Sequence, residues 1–520
     1  MKPVLLALAL AAALSTGQPL HAAPGLPSNN VAWIPAAADA DVDRAFARAR
    51  AENKPVLLYW GATWCPPCNQ LKATLFNRQD FALQSRAFVA VHVDGDRPAA
   101  QKISQRFKVS GYPTLVLFTP GGQEITRLPG EVEPSQVMAV LHLGMAGGRP
   151  VKAVLADALA GRSIADNEWR MLAYYAWDTD EQQLLPKAER AATLARLAAA
   201  SPSQDPETSM RLWLKALTAG EEGRSPRADP ALRARVERLL GDPTQARLHA
   251  DVLSGGAADL VKALVADDAP ERAALINAYD AALRRLSADA TLSRGDRMSA
   301  LIARIDLARL GQPREAAHPK IPDALLAEVR EHAARDDREI TDGHERQAVV
   351  TAAAYALARA GLWAESDAML QANLARSHSP YYLMSQLGGN ARRQGRTDDA
   401  LRWFGQAFDK SEGPATRLQW GASYVAALVD LAPQDAARIE KVAGQLIREA
   451  GRDAGAFEGR SLRSLQRMST KLVGWGGEGA RAAAVKRLQS RLAPLCQKAG
   501  TDQGQKEACR ALLQPKDKKA

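Results

Sequence analysis

Cys65 and Cys68 stand three positions apart in the run Trp64-Cys-Pro-Pro-Cys68. Two thiols at this spacing can close a disulfide and exchange it with a third sulfur. The run Lys54-Pro-Val-Leu-Leu-Tyr-Trp60 before them is apolar and reads as a strand. After them, Pro66 to Arg86 carries Leu71, Leu75 and Phe76 at helical spacing. The pair is therefore expected at a helix N-terminus, where free N–H groups and a partial positive charge lower a thiol pKa below about 8.5. Cys65, beside Trp64, is expected to be the exposed nucleophile. Cys68, one turn on, is expected to resolve the mixed disulfide. Pro66 suits the first turn of a helix, although Pro66 and Pro67 together withhold two donors from a thiolate.

Other readings of the pair are half of a zinc site and an inert structural disulfide. Structural zinc needs further ligands at matching spacing. The remaining cysteines are 13 positions apart and no histidine pair sits near the motif. The sequence thus calls for neither a metal nor a cofactor. Cys496 and Cys509 flank Gln497 to Ala508, between the helical patterns Ala483 to Leu495 and Lys506 to Leu513. The main expectation is a structural disulfide tying two helices, with a second redox pair or free thiols as alternatives.

Several elements must position the first pair. Phe88-Val-Ala-Val-His-Val-Asp94 and Leu115-Val-Leu-Phe118 read as strands, and Glu124 to Leu128 returns as a hairpin partner after the turn Pro120-Gly-Gly122. Helical patterns lie at Ala45 to Ala51, Pro98 to Phe107 and Pro134 to Leu143. Strands alternating with helices over residues 31–147 predict an α/β sandwich with a mixed sheet. His92 is expected to pack on its strand, and Asp94, Gly95 and Asp96 to form a strand-end turn.

In order along the chain, the strand Lys54 to Trp60, the motif Trp64 to Cys68, the strand ending at Asp94, Gly111-Tyr-Pro-Thr114, and Gly121-Gly122 followed by Gly130 resemble the thioredoxin superfamily. Lys-Pro-Val with Trp-Cys-x-x-Cys and a following Leu-Phe is most similar to the C-terminal periplasmic domain of the thiol:disulfide interchange transporter and to related exported thioredoxin-like proteins. The resemblance implies a thiol:disulfide oxidoreductase, with reduction the favoured direction. It implies that Pro113 is a cis-proline facing the cysteines, that Tyr112 presents its backbone to an extended substrate segment, and that Trp64 joins them in binding substrate. The implied partners are protein disulfides or dithiols and a redox protein that supplies or accepts electrons. Thioredoxins proper carry Gly-Pro between the cysteines and a buried aspartate where this chain has Tyr59, so proton transfer at Cys68 needs water or another group.

From Gly148 onward the chain is rich in Ala, Leu, Arg and Glu and reads as successive amphipathic helices, an all-α repeat region over 150–515. Gly361 and Gly395 are 34 residues apart, as are Ala354 and Gly388, Leu357 and Ala391, and Leu370 and Phe404. The run from Leu387 to Pro414 is similar to a tetratricopeptide repeat, with a shifted proline. Tyr381, Tyr382, Trp403, Phe404, Phe408 and Trp420 fall on helical spacing and are expected mostly in the core of this region.

The formal net charge is +10. It is spread over a helical region with interleaved signs, which argues for a solvated surface and against a nucleic-acid partner. Residues 1–22 have Lys2, an apolar run of 11 residues from Val4 to Leu14, and small residues at Ala22 and Ala23. This is a signal-peptide pattern with cleavage after Ala22 and export to a periplasm. The run is too short to span a bilayer, so no stable membrane insertion is expected. Two function classes follow. One is a periplasmic thiol:disulfide oxidoreductase whose helical region recruits substrates or partners. The other is a helical-repeat adaptor or chaperone whose first domain mainly binds.

Overall fold

The computed structural model describes residues 30–130, 133–180, 183–220, 229–498 and 502–514. The expected signal peptide, residues 1–22, lies outside the described residues. Five strands form one mixed sheet. They are β1 (Ile34–Ala36), β2 (Val56–Gly61), β3 (Val89–Asp94), β4 (Thr114–Phe118) and β5 (Glu124–Pro129), in the order β1-β3-β2-β4-β5. β3 runs parallel to β1 and β2, whereas β4 is antiparallel to β2 and β5. β1 is the strand the sequence reading missed.

Alternation along β2 divides the core. Val56, Leu58 and Trp60 pack with Val42 and Phe46 of α1 (Asp39–Glu52) and with Ile103 of α4 (Ala100–Arg106). Leu57 and Tyr59 face the other way, as the period of two along a strand requires. There they meet Leu71 of α2 (Pro66–Leu71), Phe81 of α3 (Gln79–Gln84) and Val137 of α5 (Pro134–Met145). The single helix expected from Pro66 to Arg86 is broken. A π-helical turn at Lys72–Phe76 follows α2, and Arg78 is extended before α3 starts. The apolar spacing of Leu71, Leu75 and Phe76 is kept through that turn, which is why periodicity did not reveal it.

The remaining described chain is all helical, from Val151–Leu159 to Gln503–Arg510. Its first helices continue the core of the sheet. Val154, Leu172, Leu194 and Leu212 belong to the same buried cluster as Leu57 and Leu117. Buried apolar contact stabilises by roughly 25 cal/mol per Å², so this shared core anchors the first helices to the sheet. Further on, Gly361 and Gly395 each take a left-handed φ, +84° and +72°, at the turns of two helical hairpins. Such angles favour glycine. In the first hairpin Ala354 packs in one cluster with Leu370; in the second, Gly388 leaves room for the ring of Phe404. The 34-residue spacing is thus a spacing between corresponding packing contacts. Among the described residues no helix is long and apolar enough to cross a membrane.

Candidate active site

β2 ends at Gly61, and the chain enters α2 through Thr63 and Trp64. Cys65 is the N-cap of α2, and its Sγ accepts the N–H of Cys68 at 3.2 Å. Pro66 and Pro67 follow it, so Cys68 supplies the first N–H that the turn can offer to a sulfur. The two cysteines are joined as a disulfide, with Cα atoms 5.2 Å apart. Asn69 fixes the turn: its side-chain N–H groups donate to the carbonyls of Thr63 at 2.7 Å and Cys65 at 2.9 Å.

Tyr112 and Pro113 are joined by a cis peptide bond. Tyr112 packs against the cluster of Ala62, Cys65 and Cys68. A Cβ on Gly130 would fall 2.0 Å from Pro113 Cγ, so only glycine lets β5 pass this close to the loop. Tyr59 is buried on the sheet, stacked on His92 with ring centroids 4.9 Å apart. Burial pushes the Tyr59 hydroxyl well above its ordinary pKa. It therefore stays protonated and takes no proton from Cys68.

Cys65 is not the exposed residue expected from the sequence. It is 2% accessible, and Cys68 is fully buried. The cover comes from the helical region of the same chain. Trp64 donates its indole N–H to Thr416 Oγ1 at 2.9 Å. Its ring stacks on Tyr382 at 5.9 Å and meets Trp420 edge-on at 5.0 Å. Tyr382 and Trp420, expected mainly as core of their own region, thus share their packing with the motif. His378 Nε2 lies 3.1 Å from the carbonyl of Thr63, and His344 Nδ1 lies 2.6 Å from Asn69 Oδ1. Gln347 donates to the carbonyl of Trp64 at 3.4 Å.

Arg460 completes the cover. Its guanidinium carbon is 5.2 Å from the ring centroids of both Trp64 and Tyr112, within the range of a cation–π contact. It pairs with Asp96 and donates to Thr416 Oγ1 at 3.2 Å. Thr416 in turn donates to Asp96. Burial raises the Asp96 carboxyl above its ordinary pKa, while Arg460 and Thr416 pull it back. Asp96 thus does more than form the expected strand-end turn: it ties that turn to helices more than 300 residues away. Beside α2 lies a cavity of about 610 Å³ whose walls include Pro66, Pro67, Gln70, Glu133, Arg247 and Asp296.

Cys496 and Cys509 form the second disulfide, Cα atoms 5.3 Å apart, between the helices Gly479–Lys498 and Gln503–Arg510. Both are buried in the core of the C-terminal helices, apart from the cluster that holds Cys65.

A five-stranded mixed sheet with a disulfide at the start of the helix after β2 defines a thioredoxin-like domain. Residues 42–144 match the family model described as a thioredoxin-like domain, and the chain belongs to that family through this part. It is 33% identical over 102 residues to thioredoxin H4 of Arabidopsis thaliana, covering 19% of this chain and 79% of that protein. It is 33% identical over 116 residues to thiol:disulfide interchange protein DsbD 2 of Pseudomonas aeruginosa, covering 22% of this chain and 20% of that protein. The chain thus spans about a fifth of the length of that relative. A solved thioredoxin from Thermus thermophilus is 26% identical, covering 21% of this chain and 83% of that one, with a TM-score of 0.19.

Proposed function

We propose that the protein is a periplasmic thiol:disulfide oxidoreductase working through Cys65 and Cys68, with reduction of protein disulfides its favoured direction. The observation that carries this reading is the Cys65–Cys68 disulfide at the N-terminus of α2, with Cys65 Sγ accepting the Cys68 N–H. The same contact that holds the disulfide favours a thiolate at Cys65 once the bond is reduced. Export rests on the signal-peptide pattern of residues 1–22, and similarity to thiol:disulfide interchange proteins supports the chemistry.

In the proposed cycle the Cys65 thiolate attacks one sulfur of a substrate disulfide and releases the other as a thiolate. The Cys68 thiolate then attacks Cys65 Sγ, closing Cys65–Cys68 and freeing the substrate dithiol. Two electrons pass to the substrate, which takes up two protons, and a partner dithiol returns the protein to the reduced form. Trp64, Tyr112 and Pro113 are the proposed substrate-contacting residues. Cys496–Cys509 is proposed to be structural, because both sulfurs are enclosed in another core.

The test is dithiothreitol-driven reduction of oxidised glutathione. The full chain should accelerate it at least about tenfold, Cys65→Ser should abolish the acceleration, and Cys496→Ser/Cys509→Ser should leave it intact. An acceleration that survives Cys65→Ser overturns the reading. The second reading, an adaptor whose thioredoxin-like domain mainly binds, draws on the cover over Trp64 and predicts no acceleration.

A further inference from the structure

We propose that the helices over the motif are a built-in size gate on the disulfide form. Small thiols reach Cys65 Sγ with the cover in place, whereas a folded dithiol protein reaches it only after the helices between Gly343 and Gly476 lift away. The proposal rests on the redox reading above and adds its regulation.

Three observations converge on it. First, an incoming sulfur must approach Cys65, yet Cys65 is 2% accessible and the residues around it are held from several helices. Thr416 and Trp420 hold Trp64, His378 meets Thr63, and His344 meets Asn69. Second, Arg460 lies 5.2 Å from both Trp64 and Tyr112, filling the space above the two side chains that flank Cys65. A folded partner cannot share that space. A small thiol needs only local motion of the side chains around Cys65, such as Trp64 and Tyr112.

Third, the two attachments of the helical region differ in kind. On the far side the sheet and the helices from Val151 to Thr218 share one apolar core. Over the motif the ties include a smaller aromatic cluster, a polar network of Asp96, Thr416, Gln419 and Arg460, and hydrogen bonds from Ala99 N–H to Asp453 and from Arg460 N–H to Gln101. Water can take the place of a polar partner, whereas parting an apolar core exposes its whole buried area. The cover is therefore the side that opens, and the shared core is the side that stays.

The gated step is balanced. A reductant thiolate attacks Cys65 Sγ and expels Cys68 as a thiolate. The reductant's second thiolate then attacks its own sulfur in the mixed disulfide and expels Cys65. The reductant leaves as a disulfide, two electrons are transferred, and the two new thiolates equilibrate with protons.

The experiment uses the oxidised full chain and two variants, Arg460→Ala and Thr416→Val, each checked by circular dichroism. Reduction of Cys65–Cys68 is followed by rapid alkylation and mass spectrometry, once with dithiothreitol and once with a reduced single-domain thioredoxin. The variants should be reduced by the protein dithiol at least about tenfold faster than the unmodified chain, a change equal to roughly 1.4 kcal/mol. Their rates with dithiothreitol should change by less than about threefold. Equal protein-dithiol rates in all three chains overturn the gate. Thr416→Val removes a hydroxyl with little change of shape, so it carries the test if Arg460→Ala does not fold. Failure of the redox reading looks different: dithiothreitol reduces the disulfide, but the resulting dithiol passes no electrons to oxidised glutathione.

Discussion

Trp64 and Thr416 lie 352 positions apart in sequence and share a hydrogen bond of 2.9 Å. The Thr416 hydroxyl accepts from Trp64 and from Arg460 and donates to Asp96. One side chain thus joins the residue before Cys65, the turn after β3, and a cation of the C-terminal helices. Removing it leaves a half-buried indole N–H without its acceptor and a largely covered carboxylate short of a donor. Thr416→Val should cost about 1–3 kcal/mol, read as a lower urea midpoint by tryptophan fluorescence, and Thr416→Ser should recover most of the loss. A Val variant as stable as the Ser variant contradicts the assigned role.

Trp420 packs edge-on against Trp64 and donates its indole N–H to the carbonyl of Tyr381 at 3.0 Å. Trp420→Ala removes a large buried ring and should destabilise by about 3–5 kcal/mol. Hydrogen exchange should localise part of the effect to residues 62–69, on the other side of the contact. An effect confined to the helices around Trp420 contradicts the coupling.

The Cys496–Cys509 bond closes a loop with a sequence separation of 13. In the chain-entropy model a loop of this size contributes roughly 3 kcal/mol. Cys496→Ser/Cys509→Ser should lose about that much stability of the C-terminal helices. The exchange rate at Cys65 should stay within about twofold, since these sulfurs do not enter the proposed cycle. A comparable loss of exchange would make the second pair part of the electron path.

His249 is fully buried, and among the described residues neither of its ring nitrogens has a hydrogen-bond partner. Burial first, then Arg211, push its pKa from 6.5 down to about 4, against a smaller pull from Asp251. The unfolded chain binds a proton below about pH 6.5, while the folded chain resists until about pH 4. Stability is therefore full above pH 6.5 and falls as the pH drops from 6.5 toward 4, by about 3 kcal/mol for this group. His249→Leu should flatten the fall in urea midpoint between pH 7 and pH 5. His92, also held down to about 4 by burial and then by Lys72 and Arg97, keeps part of the slope. An unchanged slope in His249→Leu contradicts the assignment.

The sequence made the sheet legible because its signals are local. β2 to β5 alternate or run apolar, and the cysteines fall where a strand gives way to a helix. Gly111-Tyr-Pro-Thr114 and Gly130 lie close enough along the chain to be read together, and Gly130 does pass Pro113 where no side chain fits. β1 was missed because three residues, Ile34 to Ala36, are too short for a period to show. The cover was missed for a different reason. Thr416, Trp420 and Arg460 sit on amphipathic helices whose spacing explains them equally well as core or surface. Nothing in a single sequence says that those helices return to Trp64. Buried Arg460 gives no local signal either, since its partner Asp96 is 364 positions away.

The most direct measurement of the central claim follows Cys65 itself. Cys68→Ser is reduced, incubated with oxidised glutathione, quenched with acid, and mapped by mass spectrometry beside the unmodified chain. The account predicts a lasting glutathione adduct on Cys65 in Cys68→Ser and none in the unmodified chain, where Cys68 resolves it to the Cys65–Cys68 disulfide. No adduct on Cys65 in the variant, or an adduct that persists equally when Cys68 is present, contradicts it.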